Sequence, residues 1–445
     1  MLKTGKSVMR KLNDAKIINA WCMYDWSNSV YNLVITSAIF PSFYQTYAVG
    51  VDGSDVVIFF GYEMINSVLY SYALAFSFLL VTLFLPLLSG IADYSGNKKI
   101  FMKGFTYLGS AACIGLFFFD GSNIEFGIIC SMLASIGYAG SLVFYDAYLP
   151  EIASKDRTDQ ISARGYSMGY LGSVLLLVSV IVCIVYYDAL GFSSQKEATR
   201  MSFLVVGLWW ALFAQIPFYY LPTYANNNGR VTKNVIYNGY REILKVWSAL
   251  KQQVSLRTYL LAFFFYNMGV QTVMLLAATF AAKVIGMKGS SLVLVILVIQ
   301  LVAIVGANLF ARLSRLKGNK FSLQVMVLIW IMACFSAYFV YTQGQFFVLA
   351  VVVGLIMGGI QALSRATYSK LIPDDTQDHA SYFSFYDITY NISVVLGTFT
   401  YGVVEQLTRE MRNNALVLTS FFIAGFIILY FVKMPFNKTA SIEQD

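Results

Sequence analysis

Ser89-Gly90-Ile91-Ala92-Asp93-Tyr94-Ser95-Gly96-Asn97-Lys98-Lys99 closes one long apolar run and opens the next. About 222 residues later Ala311-Arg312-Leu313-Ser314-Arg315-Leu316-Lys317-Gly318-Asn319-Lys320 stands in the same place, and both stretches end in Gly-Asn-Lys. Tyr148-Leu149-Pro150-Glu151 and Leu371-Ile372-Pro373-Asp374 repeat at an offset of about 223. Tyr24-Asp25 and Tyr266-Asn267 repeat at about 242, the excess matching a long first outer loop, Gly50 to Asn66, that the second half lacks. Three landmarks in register indicate a duplication.

A membrane-spanning helix takes about 20 mostly apolar residues. Roughly twelve such runs are present, centred near 32, 79, 110, 137, 175, 210, 270, 301, 331, 358, 393 and 423. The one long polar insertion, about Tyr224 to Leu256, falls between the sixth and seventh. The expected architecture is all-α: twelve transmembrane helices in two pseudo-symmetric six-helix bundles, residues 1–222 and 256–445, joined by a linker over 223–255.

Composition agrees. Soluble domains carry about 25% charged residues, whereas this chain has 12%, with 58% hydrophobic residues and a mean hydropathy of +0.65. The net charge of +8 comes from basic residues in short loops between apolar runs, which orients a membrane protein and does not suggest nucleic acid as a partner. With both termini cytoplasmic, about 25 Lys and Arg fall inside and about 6 outside, so that topology is expected. The outer loops Asp52-Gly53-Ser54-Asp55 and Asp120-Gly121-Ser122-Asn123 are acidic or neutral. The basic start, Lys3, Lys6, Arg10, Lys11 and Lys16, is not followed by the short apolar run and small-residue site of a cleaved signal peptide. Cys22, Cys113, Cys130, Cys183 and Cys334 all lie in apolar runs without CxxC spacing and read as buried free thiols. In the linker, the loop Asn226-Asn227-Asn228-Gly229 precedes apolar positions at helical spacing from Val235 to Trp247. That pattern predicts a basic amphipathic helix lying on the inner membrane surface.

Two halves of six helices, with Gly90-x-x-Asp93-x-x-Gly96-x-Lys98-Lys99 after the second, resemble the major facilitator superfamily. Tyr24-Asp25-Trp26-Ser27-Asn28-Ser29 with Ala38-Ile39-Phe40-Pro41 resembles one branch of it, the vacuole-effluxer (autophagy-related permease-like) family and its bacterial relatives. Phe144-Tyr145-Asp146-Ala147-Tyr148-Leu149-Pro150-Glu151, Gly169-Tyr170-Leu171-Gly172, Phe264-Phe265-Tyr266-Asn267 and Gly358-Gly359-Ile360-Gln361-Ala362-Leu363-Ser364-Arg365 extend the resemblance over helices 1 to 11. It implies the major facilitator fold and secondary transport, with amino-acid efflux the family's best-known activity. The chain departs from the family at Asp146, where Asn is usual, and at Tyr390-Asn391 and Gly397-Thr398 in helix 11.

In transporters built from two repeats the substrate site lies near the midplane between them. A charge at the bilayer centre costs at least about 2.5–3.5 kcal/mol, so polar residues in mid-run face protein or a water-filled path. Asp25, Asn28 and Asn32 share one helical face in the first run. Asn267 and Gln271 repeat the pattern in helix 7, expected to face helix 1. Gln361 and Arg365 in helix 10, and Asp387 and Asn391 in helix 11, are likewise four apart. Asp146 lies four residues before Pro150, so it and Arg365 are placed nearer the cytoplasmic mouth, as gate or substrate contacts. Gly90 and Gly96 suit a tight turn, with Lys98 and Lys99 completing the gating loop. Asp93 can sit against a neighbouring helix N-terminus, favouring one conformer by about 0.3–2 kcal/mol. The second copy has Arg315 for the acid and Arg312 for the first Gly, so the gate should be asymmetric.

No enzyme constellation is present: His379 is the one histidine, in a polar loop, and neither GxSxG nor GxxxxGK[ST] occurs. No metal site or cofactor is expected. The reading is a monomeric, multi-pass transporter of the inner (plasma) membrane, moving an amino acid or similar small-molecule substrate across the lipid bilayer by alternating access. Protons are the expected coupling ion, through Asp25, Asp146 or Asp387, with sodium the alternative. Sugar or nucleoside transport is the alternative within the fold, and a non-transporting receptor or scaffold the alternative outside it.

Overall fold

A computed structural model of the chain describes residues 12–50, 53–223, 235–287, 290–408 and 410–434. The basic residues before Leu12, Asp52 of the first outer loop, the linker loop Asn226–Gly229 and the C-terminal end lie outside the described residues. Each of the twelve predicted runs coincides with helix. The first is α1 (Ala15–Val30), a π-wound stretch Tyr31–Ile39, and α2 (Phe40–Tyr47), with Asp14 accepting the backbone N–H groups of Lys16 and Ile17 as its N-cap. Then come β1 (Val56–Phe59), β2 (Tyr62–Ile65), α3 (Asn66–Ser95), α4 (Lys98–Leu116), α5 (Ile124–Asp146), α6 (Leu149–Ile152), α7 (Thr158–Val185), α8 (Gln195–Phe213) and α9 (Gln215–Tyr220). After the linker helix α10 (Val235–Gln252) follow α11 (Val254–Lys283), α12 (Ser290–Lys317), α13 (Asn319–Ala337), α14 (Gln343–Leu371), α15 (His379–Thr408) and α16 (Asn413–Tyr430). Among the described residues nine helices are long and apolar enough to cross a membrane. The first, third and eleventh runs are the polar ones, carrying Asp25 and Asn28, then Lys98, Lys99 and Lys103, then Asp387 and Asn391.

The packing follows the duplication. Across the middle, α7 of the first half packs on α12 and α14, and α3 packs on α15. Second helix against fifth, in both directions, is what a pseudo-two-fold requires. Residues such as Leu83, Val305 and Phe399 are more than half exposed on the outer surface of the bundles. A lipid solvent tolerates that; water would not. Four of the five cysteines are buried, Cys183 is half-buried, and all five are free.

Four expectations change. The first outer loop departs from the all-α expectation: β1 and β2 form an antiparallel hairpin turning at Phe60 and Gly61, both at positive φ. The first run does not keep one helical period. Pro41 offers no N–H to the ladder, and the nine residues before Phe40 are wound as π-helix. Gly90 is not in a turn; it lies inside α3, where a Cβ would come within 2.3 Å of the Gly239 carbonyl oxygen on α10. Gly96 does make the turn, at φ 65°. Its counterpart Gly318 sits at φ 86°, so the second copy keeps the bend although it lost the acid.

The linker helix is the fourth. α10 does not simply lie on a membrane surface: Val246 and Leu250 are buried, and the helix packs on α3, α11 and α15. Trp247 stacks on Phe385 of α15 at 5.7 Å. Lys245 pairs with Asp378 at 2.6 Å. Desolvation opposes the charge of Lys245, yet Asp378 and Glu242 outweigh it and hold its ammonium pKa above the usual lysine value. The face that carries α10, α6 and the α3–α4 and α12–α13 turns is called the linker face below.

Candidate functional site

Arg365 of α14 is the centre of the interior. It is 1% exposed, and its guanidinium reaches into the first half. Nη2 lies 3.3 Å from Asp25 Oδ2 on α1, and Nη1 lies 3.0 Å from Asp146 Oδ1 at the end of α5. Nε donates to Ser162 Oγ at 3.0 Å and Nη2 to the Ser162 carbonyl at 3.1 Å. Three ring faces surround the cation, Tyr166 at 4.2 Å, Trp21 at 4.7 Å and Tyr145 at 5.4 Å. The Tyr145 hydroxyl donates to Asp25 Oδ2 at 2.7 Å, and Trp21 Nε1 donates to the Tyr145 carbonyl at 3.0 Å. The bare backbone of Gly165 lets α7 close over this cluster: a Cβ there would meet Asp25 Oδ2 at 2.5 Å and Arg365 Nη2 at 3.0 Å. A planar fork with five donors suits this double bridge; a lysine could not hold both carboxylates and Ser162 at once.

Adjoining the triad is a polar cavity of about 120 Å³ lined by both halves. A single water needs roughly 10–15 Å³ by this measure, so there is room for a small solute. Asn32, Asp146, Asn267, Gln271, Gln361 and Asp387 all line it. Asp25 and Arg365 lie beyond the lining, within the triad. Asn28 is buried and does not share the cavity with Asn32. Asn267 does not turn to helix 1: its Nδ2 donates to Ser393 of α15 at 2.6 Å, and Gln271 Nε2 donates back to its Oδ1 at 3.2 Å. Gln361 accepts from the Tyr170 hydroxyl, another bond between halves. Asn391 holds Asp387 Oδ2 at 2.9 Å but lines an apolar side cleft between α3, α5 and α15.

Further contacts between the halves shut the linker face. Asp93 accepts the backbone N–H groups of Ser381 at 2.7 Å and Ala380 at 3.2 Å, in the first turn of α15. This is the helix N-terminus arrangement expected for it. Lys98 and Lys99 stay within their own half, Lys98 paired with Glu151 at 2.7 Å and Lys99 donating to the Phe218 carbonyl at 3.1 Å. The second contact was not legible in the sequence. Asp159, at the start of α7, pairs with Lys370 of α14 at 2.7 Å and accepts from Ser314 Oγ and Asn319 Nδ2, each at 2.8 Å. Asn319 is the counterpart of Asn97 in the repeated stretch. The two copies of the stretch are thus unequal: the acid missing from the second is supplied by the other half. His379, read as a loop residue, opens α15 and is buried, 3.9 Å from Glu151.

Ser162, Tyr145, Gly165, Asp159 and Lys370 were missed. Asp159 and Lys370 stand at the ends of apolar runs, where a charge reads as an ordinary loop residue; a Tyr beside Asp146 was the one signal available for Tyr145.

A pseudo-symmetric pair of helix bundles, closed on one face by ionic contacts and enclosing a polar cavity between its halves, defines a membrane transporter of the major facilitator type. The chain belongs to the vacuole effluxer Atg22-like family, whose model matches residues 13–440. It is 31% identical over 433 residues to an uncharacterized MFS-type transporter, YxiO, of Bacillus subtilis, covering 96% of this chain and 97% of that one. It is 22% identical to autophagy-related protein 22 of Pichia angusta, covering 91% and 83% of the two chains. Among solved structures, the outward conformation of FucP aligns with a TM-score of 0.69 at 13% identity, covering 95% of this chain and 98% of that one. The proton:xylose symporter XylE aligns at 0.70 and 11%, covering 94% and 96%. At such identities these likenesses establish the fold.

Proposed function

We propose that this transporter is a proton-coupled secondary carrier of a small polar metabolite of amino-acid size, working by rocking of the bundles 1–222 and 256–445 about the central cavity. One observation carries the reading: two carboxylates from the first half share one buried guanidinium from the second. With all three groups ionised the triad holds one negative charge in excess, and a net charge at the bilayer centre costs at least about 2.5–3.5 kcal/mol. One proton cancels that excess. Proton gain and loss therefore couples to the strength of the bond between halves, which is what a coupled carrier needs. The linker face is taken as cytoplasmic, with both termini on that side and the protein a monomer in the plasma membrane; the basic loops support this orientation. Efflux is one direction the cycle allows. A scaffold without transport would have no use for a cavity lined by both halves.

Metabolite profiling of a deletion strain against its parent, inside and outside the cell, identifies the cargo. Flux of that cargo into proteoliposomes is then measured with and without a pH gradient. Wild type is expected to respond to the gradient and Asp25→Asn to lose the response while still exchanging cargo. Unchanged gradient-driven flux in the variant removes Asp25 from the coupling mechanism.

A further inference from the structure

The central cavity is unevenly charged. Among the described residues that line it there are two carboxylates, Asp146 and Asp387, and no Lys, Arg or His. The nearest cation is already committed: Arg365 is 1% exposed, bound to Asp25, Asp146 and Ser162, and covered by the rings of Trp21, Tyr145 and Tyr166. Asp146 thus faces the cavity paired with a cation, one it shares with Asp25. Asp387 does not. Its hydrogen bond among the described residues is from Asn391 Nδ2, a neutral amide on the same helix, at 2.9 Å. Aromatic rings share its space: Tyr166, Tyr386 and Tyr390 line the cavity together with Phe263, and Phe263 stacks on Tyr386 at 4.4 Å. A carboxylate with no cationic partner among the described residues, set among aromatic side chains, attracts a cation by charge, and aromatic rings add to that attraction where the cation meets their faces. A carboxylate or phosphate in the same place would meet like charge and, among the described lining residues, no basic side chain.

We infer that Asp387, with the rings of Phe263, Tyr386 and Tyr390, forms the subsite for a positively charged nitrogen of the cargo, and that small organic ammonium ions are preferred over zwitterions, neutral solutes and anions. The inference rests on the transporter reading above and names the substrate class of that same cavity. The side-chain amides of Asn267, Gln271 and Gln361 then supply neutral donors and acceptors for the rest of the molecule. Ammonium ions of this kind bring their own charge across the membrane, so Asp387 acts as their counter-ion in the cavity and Asp25 and Asp146 remain with Arg365.

The test uses the purified full-length protein in lipid nanodiscs and four probes that share a phenyl ring on a two-carbon chain: phenethylamine, phenylalanine, 2-phenylethanol and 3-phenylpropionate. Butylamine and putrescine, each beside its matching alcohol, extend the amine series to other sizes. Binding is read as a shift in thermal unfolding across a concentration series. At least one amine is expected to bind, and more tightly than its alcohol. Asp387→Asn is expected to weaken that amine by about tenfold or more, equivalent to about 1.4 kcal/mol, with its elution profile and unliganded unfolding temperature confirming the fold. Should that variant not fold, Tyr390→Leu replaces it and is expected to weaken the amine several-fold more than its alcohol. The inference is overturned if no amine binds, if an alcohol or a carboxylate-bearing probe binds as tightly as its amine, or if Asp387→Asn leaves amine affinity unchanged. Each of those results leaves the carrier itself standing, because transport of whatever cargo the profiling identifies is measured separately.

Discussion

Asp159→Ala removes the carboxylate that holds Lys370, and the structure says what is left behind. Lys370 is 7% exposed and loses its partner at 2.7 Å; Ser314 and Asn319 lose an acceptor at 2.8 Å each. Asn319 Oδ1 still accepts from Lys370 at 2.9 Å, so the ammonium keeps one neutral partner. Breaking a buried ion pair by deleting one side costs about 3–5 kcal/mol. That cost falls on the state closed at the linker face, because parting the halves lets Lys370 rehydrate. At 1.4 kcal/mol per decade, 3 kcal/mol moves the closed-to-open ratio by more than about a hundredfold. Replacing both partners by apolar residues, Asp159→Leu with Lys370→Met, leaves no stranded charge and is expected to be neutral or to favour closure by about 1–4 kcal/mol. The assay is a distance distribution between spin labels at positions 155 and 374, in a background without the five native cysteines. Those two residues form an exposed ion pair across the halves, 43% and 79% accessible, and its loss costs only about 0–1 kcal/mol. Asp159→Ala should add a long-distance population and the double variant should remove it. An unchanged distribution in the single variant, or equal opening in both, refutes the argument that a stranded buried charge drives the shift.

Arg365→Lys keeps the charge but loses the fork. One or two charge-assisted bonds at about 1.5–3 kcal/mol each should disappear, lowering initial flux by roughly tenfold or more in proteoliposomes. Gly165→Ala places a methyl 2.5 Å from Asp25 Oδ2 and should lower the unfolding temperature, as overpacking costs about 1–3 kcal/mol. Gly104→Ala, with nothing within 4 Å of the added Cβ, is the control expected to be neutral or slightly stabilising. Gly239→Val should push α10 off α3, since even a Cβ meets Ile91 Cγ1 at 2.6 Å; limited proteolysis should then cut α10 several-fold faster than in wild type.

Much of this was legible in the residues. Solvation alone dictated the spans: a chain with this little charge cannot keep its apolar runs in water, and each run is long enough to cross a bilayer. The duplicated polar stretches pointed to two halves of six runs, and each run coincides with helix. The cost of a charge in lipid already pointed Asp25, Asp387 and Arg365 inward, and the acid of the first stretch was rightly matched to a helix N-terminus.

Other features were not in the sequence to be read. Periodicity shows that α10 has an apolar face but not what covers it, because lipid and protein are equally apolar partners. A glycine code does not distinguish a turn from a close approach, so Gly90 and Gly96 look alike until α10 is seen against one of them. Asp25 meets Arg365 across 340 residues of chain. Burial asks that such a charge find a partner, but any inward-facing cation could answer. Which one does is decided by the packing of α1, α5, α7 and α14, and among the described residues that line the cavity none is a cation facing Asp387.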